Sequence, residues 1–483
     1  MWGSRHLRRG SGWLLIGWLL GGCAVGPNFV RPPAPAVTRY AREPDLTSTV
    51  AARGSAQQFA AGGAVNARWW QQFDSPQLDA LVEAALARNP GLEAARASLA
   101  ASELALRSGY GIFYPGIAAD AGATRERSTP LRFGQSGSAS VFNLFSLSAS
   151  IDYALDAFGG QRRLIEQLRA QADLQRASAA AAYLTLTSNL VQTAITAAAY
   201  RAELEATTEL VDLVRSQVEI AQVQAAAGTA PYSAVLSLQG ELASYQATIP
   251  QLQQKLAQAQ DLLATLAGRF PAEASLPSPA LEALQLPATL PISVPAALLE
   301  QRPDIRMAEA ASHAASAGIG IATAAMLPSV TLSGSLGATS LTSASLFAAR
   351  GRTWSVGADA AMPVFAGGTL WYRRRAAIEA YRQTQALYRQ TVLAAFGQVA
   401  DVLQALEHDA TALAAQDAAL AASQQALQLM RVNYAAGLAT YLDVLAADAQ
   451  YHQASIADLQ AVAVRLQDSV ALYAALGGGW DGE

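Results

Sequence analysis

The feature that most constrains this chain is a duplication. Pro90 and Pro303 stand 213 residues apart, as do Pro115 and Pro328. Gly228 and Gly437, Tyr232 and Tyr441, and Gly268 and Gly477 each stand 209 apart. The pattern between these markers repeats as well. A helical stretch of ~24 residues leads to two alternating segments, a proline-free helical run of ~68 residues, a glycine turn and a helix of ~38 residues. At ~1.5 Å per residue the long run spans ~100 Å, and the two shorter helices together roughly equal it. Two short helices stacked end to end therefore suit one long helix beside them, with the alternating hairpin at one end and the glycine turn at the other. The offset falls from 213 to 209 within the hairpin, where loops tolerate length change.

The alternating segments carry the second constraint. Leu147, Ala149, Ile151, Tyr153, Leu155 and Ala157 point one way, and Ser146, Ser148, Ser150, Asp152 and Asp156 the other. Residues 117–123 alternate more weakly, with Asp120 and Thr124, and a Gly/Ser-rich loop over about 129–140 separates the two. In the second copy Val330, Leu332, Leu336 and Ala338 alternate with serine and threonine. Trp354, Val356, Ala358, Ala360 and Met362 alternate with Thr353, Ser355 and Asp359. Apolar on one face and polar on the other suits a half-buried soluble sheet or a transmembrane barrel wall. Four strands cannot close a barrel, and an open edge cannot sit in lipid. Membrane strands would therefore require several chains to share one barrel, and three chains give twelve strands. On that reading Asp120, Asp152, Asp156 and Asp359 line a wet lumen.

Composition removes other classes. Hydrophobic residues make up 52% and charged residues 14%, with much alanine, which favours long helices and close helix contacts. The 33 basic residues include a single lysine, Lys255, and are outnumbered by 37 acids, leaving no footprint for nucleic acid. The four histidines lie far apart without metal-ligand spacing. There is no nucleophile–base pair, phosphate loop or metal cluster, so no enzyme, cofactor or metal site is expected. Downstream of residue 22 no apolar run suffices for a membrane-spanning helix.

The N-terminus reads as an address. Arg5, Arg8 and Arg9 precede a short apolar core from Trp13 to Leu20, the layout of a secretory signal. It ends Leu20-Gly21-Gly22-Cys23, which resembles a bacterial lipobox, and Cys23 is the only cysteine. A covalent lipid on Cys23 would anchor the chain. Residue 24 is Ala rather than Asp, which by resemblance to lipoprotein sorting points to the outer membrane.

The expected organisation follows. Residues 1–22 form a lipoprotein signal peptide and 23–75 a lipid-anchored extended segment. Repeat 1 covers 76–268, with its strand hairpin at about 115–158 and its tip near 228. A Pro-rich equatorial connector fills 269–295. Repeat 2 covers 296–477, with its hairpin at about 328–366 and its tip near 437, and 478–483 is a tail.

In order, Cys23-Ala-Val-Gly-Pro-Asn-Phe-Val-Arg-Pro, Trp69-Trp-Gln-Gln-Phe, Asn89-Pro-Gly-Leu-Glu, Arg302-Pro-Asp-Ile-Arg-Met-Ala-Glu, Phe365-Ala-Gly-Gly and the Tyr434–Asp448 tip resemble the TolC-like outer membrane factor family, in its lipid-modified efflux and nodulation-type branch. The resemblance spans residues 20 to about 478. It implies an α+β membrane protein: a long antiparallel α-helical barrel in the periplasm plus a twelve-stranded transmembrane β-barrel shared by a homotrimer, four strands per chain. It implies an exit duct of a tripartite efflux or secretion system, passively conducting small molecules such as drugs. The partners would be a periplasmic adaptor and an inner-membrane pump of resistance–nodulation–division, ABC or major-facilitator type. The alternative is a lipid-anchored coiled-coil scaffold without a pore, which would gain nothing from two hairpins with alternating faces.

By the same resemblance Asp443 falls where the family places an acid in its periplasmic constriction, and a ring of such carboxylates suits cation selectivity. The plainer alternative is that Asp443 caps a helix start. The family's basic partner and second acid are here Ala439 and Ala446, so its type of salt-bridge latch is not expected. Asp448, Tyr441 and Leu442 are further gate candidates, and Gly228, Thr229, Gly437, Leu438 and Thr440 are candidate tip turns and adaptor contacts. The first tip has Ala234 where the second has Asp443. Arg302-Pro303-Asp304 fits a helix first turn better than a catalytic triplet. Trp69 and Trp70 are expected to pack near the first helix, and Arg373, Arg374 and Arg375 to snorkel at a membrane boundary or to be solvated.

Overall fold

The computed structural model describes residues 24–37, 39–41, 47–53, 56–63, 65–130, 134, 136–273, 276–292 and 295–479. Residues 1–23, including Cys23 and the signal segment, lie outside this set, as does the tail beyond 479. In chain order the elements are β1 (Gln58–Ala61), α1 (Pro76–Arg88), α2 (Pro90–Gly109), β2 (Gly116–Ser128), β3 (Ser140–Leu155), α3 (Gly160–Ala226) and α4 (Tyr232–Leu266). Then follow β4 (Thr289–Ile292), α5 (Pro295–Gln301), α6 (Pro303–Ala324), β5 (Ser329–Ser340), β6 (Arg352–Ala361), α7 (Thr369–Ala435) and α8 (Tyr441–Ala475). The long helices α3 and α7 both have 67 residues, and α4 and α8 both have 35. Among the described residues no helix is long and apolar enough to cross a membrane.

The chain divides into two compact units. One comprises residues up to Pro32, Leu99–Leu174 and Ala308–Tyr388. It holds a four-stranded antiparallel sheet in the order β2-β3-β5-β6, so the two hairpins of the duplication lie side by side and β2 and β6 are its edges. Its N-terminal segment is pinned by Arg163, which donates from Nε to the Val25 carbonyl (3.1 Å) and from Nη2 to Asn28 Oδ1 (2.8 Å). Gly26 and Gly320 pack so closely that a Cβ on Gly26 would lie 2.5 Å from Gly320 Cα.

The second unit comprises Pro33–Ser98, Gln175–Met307 and residues from Arg389 onward. Its core holds Trp69, Trp70 and Phe73, all almost fully buried, with Leu78, Leu81, Val82 and Ala85 of α1. The Trp69 ring stacks on Tyr473 at 5.2 Å. Here the end-to-end stacking expected from helix lengths takes a definite form. Asn89, between α1 and α2, donates from Nδ2 to the carbonyl of Leu266, the last residue of α4 (2.9 Å). Arg302, between α5 and α6, donates from Nη1 to the carbonyl of Ala475, the last residue of α8 (2.7 Å). The buried Arg302 guanidinium also binds Asp304 (2.7 Å) and Gln398 (2.8 Å), so the triplet is a structural joint.

The segment before α1 does more than extend. Its β1 pairs in parallel with β4 of the Pro-rich connector, Gln58 opposite Thr289. Beside this pair, Gln57 donates from Nε2 to the Pro287 carbonyl (2.9 Å) and Ser469 Oγ (3.2 Å), and accepts from the buried Arg465. Arg53 pairs with Asp417 (3.4 Å) and with Asp458. Burial pushes the Asp458 carboxyl up to about 6, against the opposing pull of Arg53. Burial, reinforced by Asp409, pushes Asp468 up to about 7.

Candidate functional site

The sheet register sorts the strand residues into two faces. Asp120 lies opposite Ser148, Ser148 opposite Gly337, and Gly337 opposite Thr353. Asp152 lies opposite Ser333, and Thr331 opposite Asp359. Asp120, Asp152 and Asp359 therefore share one polar face rich in serine and threonine. The other face carries Ile117, Ala119, Ala121 and Ala123 of β2 with Leu147, Ala149, Ile151 and Tyr153 of β3. Leu332 and Leu336 of β5 and Trp354 and Val356 of β6 continue it. Its large residues are open: Trp354 is 77% and Val356 80% exposed.

Asp156 corrects an expectation. It lies past the end of β3, not on the polar strand face. Its two carboxylate oxygens accept from the backbone amides of Gln161 (3.0 Å) and Arg162 (3.1 Å) at the start of α3, and the Arg162 side chain closes an ion pair at 2.9 Å. A carboxylate at a helix N-terminus satisfies amides that have no partner inside the helix, and that need overrides the alternation.

The two tips have one backbone. Gly228 N–H bonds the Ala225 carbonyl (3.1 Å) and Thr229 N–H the Gln224 carbonyl (2.9 Å). Gly437 N–H bonds the Tyr434 carbonyl (2.9 Å) and Leu438 N–H the Asn433 carbonyl (2.8 Å). Both are Schellman turns with a glycine at positive φ, +71° and +76°. Leu438 stands 80% exposed.

Beyond the turn the second tip is richer. Thr440 caps α8: its hydroxyl accepts from Asp443 N–H (3.2 Å) and donates to Asp443 Oδ2 (2.7 Å), and Thr440 N–H also donates there (2.8 Å). These bonds hold the exposed Asp443 carboxyl below the usual carboxylate range. Asp443 is thus both a cap and an exposed anion beside the turn. Tyr441 leans on Tyr434 at 5.5 Å between ring centres, and Leu442 is half-buried. Asp448 faces back to α7, where Arg431 Nη2 reaches it at 3.4 Å; His452 lies 3.9 Å away, one turn further along α8. Arg431 escaped the sequence reading, because it meets Asp448 only where α7 and α8 pack side by side. Arg374 donates to Thr323 Oγ1 (3.2 Å), and Arg375 lies over the Trp371 ring. Among the described residues no group of His, Cys, Asp and Glu could hold a metal ion.

A two-faced sheet with free edges, on a chain whose helical hairpins occur twice, meets an independent finding here. The model of the outer membrane efflux protein family matches the chain twice, over residues 81–269 and 294–478. The chain belongs to this family. The toluene efflux pump outer membrane protein TtgC of Pseudomonas putida is 28% identical over 96% of this chain and 94% of its own. The pyoverdine export outer membrane protein OpmQ of Pseudomonas aeruginosa is 30% identical over 86% of this chain and 88% of its own. Among solved structures, the outer-membrane channel OprN superposes with a TM-score of 0.83 at 27% identity, over 95% of this chain and all of that one.

This outer membrane efflux protein is a channel, the exit duct of a tripartite system, and a scaffold without a pore is not favoured. Its four strands are one third of a barrel shared by a trimer, and its helices form the helical barrel. Channels of the family work as trimers with adaptor proteins and inner-membrane pumps. Walls of transmembrane barrels have one apolar and one polar face, and the register divides this sheet in that way, with Asp120, Asp152 and Asp359 on the polar side.

Proposed function

We propose that this chain is a lipid-anchored, passive duct without enzymatic activity. It would carry small molecules, drugs among them, from a periplasmic adaptor and an inner-membrane pump to the outside. The carrying observation is the register, which gathers polar side chains from both hairpins on one face of a sheet with two free edges. A closed ring of such sheets encloses a wet lumen, and Asp120, Asp152 and Asp359 line it. The named cargoes of relatives, toluene and pyoverdine, support a small-molecule cargo here. The pump is of resistance–nodulation–division, ABC or major-facilitator type. The lipid sits on Cys23, and Cys23→Ser abolishes palmitate incorporation. Repeat 1 spans 76–268 and repeat 2 spans 296–477.

The gate lies at the second tip. Asp443 is the charged element; Tyr441 and Leu442 narrow the passage, and Asp448 stands further in. Gly228, Thr229, Gly437, Leu438 and Thr440 meet the adaptor. Purified protein in planar bilayers forms trimer-sized pores of low conductance, and Asp443→Ala raises conductance or weakens cation selectivity. A monomer that conducts under no condition would overturn the duct; an Asp443→Ala pore identical to the parent would remove that residue from the gate.

A further inference from the structure

The apolar face of the sheet ends in arginines. On β2, Arg125 lies opposite Asn143 and Arg127 opposite Val141, both in phase with Ile117, Ala119, Ala121 and Ala123. On β6, Arg352 lies opposite Ala338, in phase with Trp354, Val356, Ala358 and Ala360. These three arginines therefore lie on the face that meets lipid. Glu126, between two of them, falls on the opposite face. All three side chains are exposed, and among the described residues none of them forms an ion pair.

Their height is set by the strands. Arg125 is nine residues from the foot of β2 at Gly116, and Arg352 is nine residues from the foot of β6 at Ala361. At ~3.3 Å per residue and a tilt of ~40°, both stand roughly 23 Å above the feet, and Arg127 ~5 Å higher, against an apolar band about 25 Å tall. The arginines thus ring the outer boundary of the hydrocarbon. Trp354, two residues nearer the foot, is an aromatic of the interfacial kind.

Closure brings them together. A ring of sheets ordered β2-β3-β5-β6 closes only when β6 of one copy pairs with β2 of the next. At each seam Arg352 of one protomer then meets Arg125 and Arg127 of its neighbour at one level. Three guanidiniums without carboxylate partners beside the acyl chains call for a ligand with an apolar body and fixed anionic groups. Phosphate fits best, because a guanidinium binds it bidentately. We propose that each seam of the trimer binds one phosphorylated glycolipid of the outer leaflet, its phosphates held by Arg352 of one protomer and by Arg125 and Arg127 of the next. This rests on trimer closure, which is checked separately.

The test is native mass spectrometry of the full-length trimer released from detergent, its mass recorded before any lipid is added. Lipid A is then titrated, with dephosphorylated lipid A, phosphatidylglycerol and inorganic phosphate as parallel probes. The expected result is up to three lipid A molecules per trimer. The R125Q/R127Q/R352Q variant should bind about tenfold more weakly or worse, and R125K/R127K/R352K, which keeps the charge but loses the bidentate fork, should recover only part of the binding. Absence of a trimer would remove the seam and the proposal with it. Equal binding of dephosphorylated lipid A, equal binding of phosphatidylglycerol, displacement by millimolar phosphate, or unchanged binding by the glutamine variant would each overturn it. If the glutamine variant does not assemble, the two forms of lipid A on the parent trimer decide alone.

Discussion

At residue 228 and again at residue 437 a 67-residue helix ends in the same glycine turn, but the helices that leave the two turns start differently. The first starts after Pro231 with no side-chain cap; the second starts after Thr440 with a reciprocal cap to Asp443. The contrast extends along both helix pairs. Moving back 209 residues from Asp409, Asp417, Asp443, Asp448, Asp458 and Asp468 reaches Tyr200, Thr208, Ala234, Gln239, Ile249 and Ala259. In the other direction, Glu203 and Glu209 of the first copy correspond to Ala412 and Ala418. By contrast, the joints are duplicated: Asn89 and Arg302 donate to carbonyls exactly one repeat apart, Leu266 and Ala475. Backbone geometry was kept twice because the helical wall needs it twice. Charge was placed once, so a threefold assembly presents three Asp443 carboxylates at its tips.

The largest expected effect separates the joints. Arg302→Met removes a buried guanidinium with three acceptors and lowers stability by about 3–5 kcal/mol, whereas Asn89→Ala costs about 1 kcal/mol. Thermal unfolding of the trimer measures both, and equal losses would break the distinction between a buried and a half-exposed joint. Next comes Asp468, whose counterpart is Ala259. Because its carboxyl is pushed up to about 7, the folded chain holds a proton where the unfolded chain has lost it. This favours folding at low pH, and the advantage fades as pH rises from about 4 through 7. The trimer should be more stable at pH 5.5 than at pH 8, and Asp468→Asn should remove about 1–2 kcal/mol of that difference, allowing for partial exposure. An unchanged slope would show that Asp468 is ionised throughout.

The smaller effects concern the turns. Nothing lies within 4 Å of a Cβ built on Gly228 or Gly437, so alanine at either meets only backbone strain. Each substitution should cost about 1 kcal/mol, and a clear inequality would mean that the two turns differ in geometry. Smallest is the cap: Thr440→Val should cost about 0.5–1 kcal/mol and Pro231→Ala almost nothing.

What was legible follows from where each signal resides. Proline and glycine announce turns by themselves, so markers such as Pro303 and Gly437 exposed the duplication and the hairpins without knowledge of contacts. β3 begins six residues before its clean alternation because Phe142 and Leu144 occupy the polar face near the loop, which breaks the pattern. The pairing of β1 with β4 was invisible: four residues carry no period, Pro291 argues against a strand, and the partners lie 231 residues apart. At the second tip the position of Asp443 was legible but its hydrogen bonds were not, since a cap and a gate call for the same residue type. The ion pair of Asp448 with Arg431 depends on the side-by-side packing of two helices, which local pattern does not encode.

The free edges of β2 and β6 bear on how the cell makes this protein. A lone sheet in hydrocarbon would leave a row of peptide groups unsatisfied on each side, each costing several kcal/mol. A subunit therefore has no stable membrane-embedded state of its own, and insertion and oligomerisation become a single event. The yield of finished pores should then rise more steeply than in proportion to subunit supply. A modest change in expression becomes a larger change in export capacity, and a subunit with one damaged edge poisons the ring it joins.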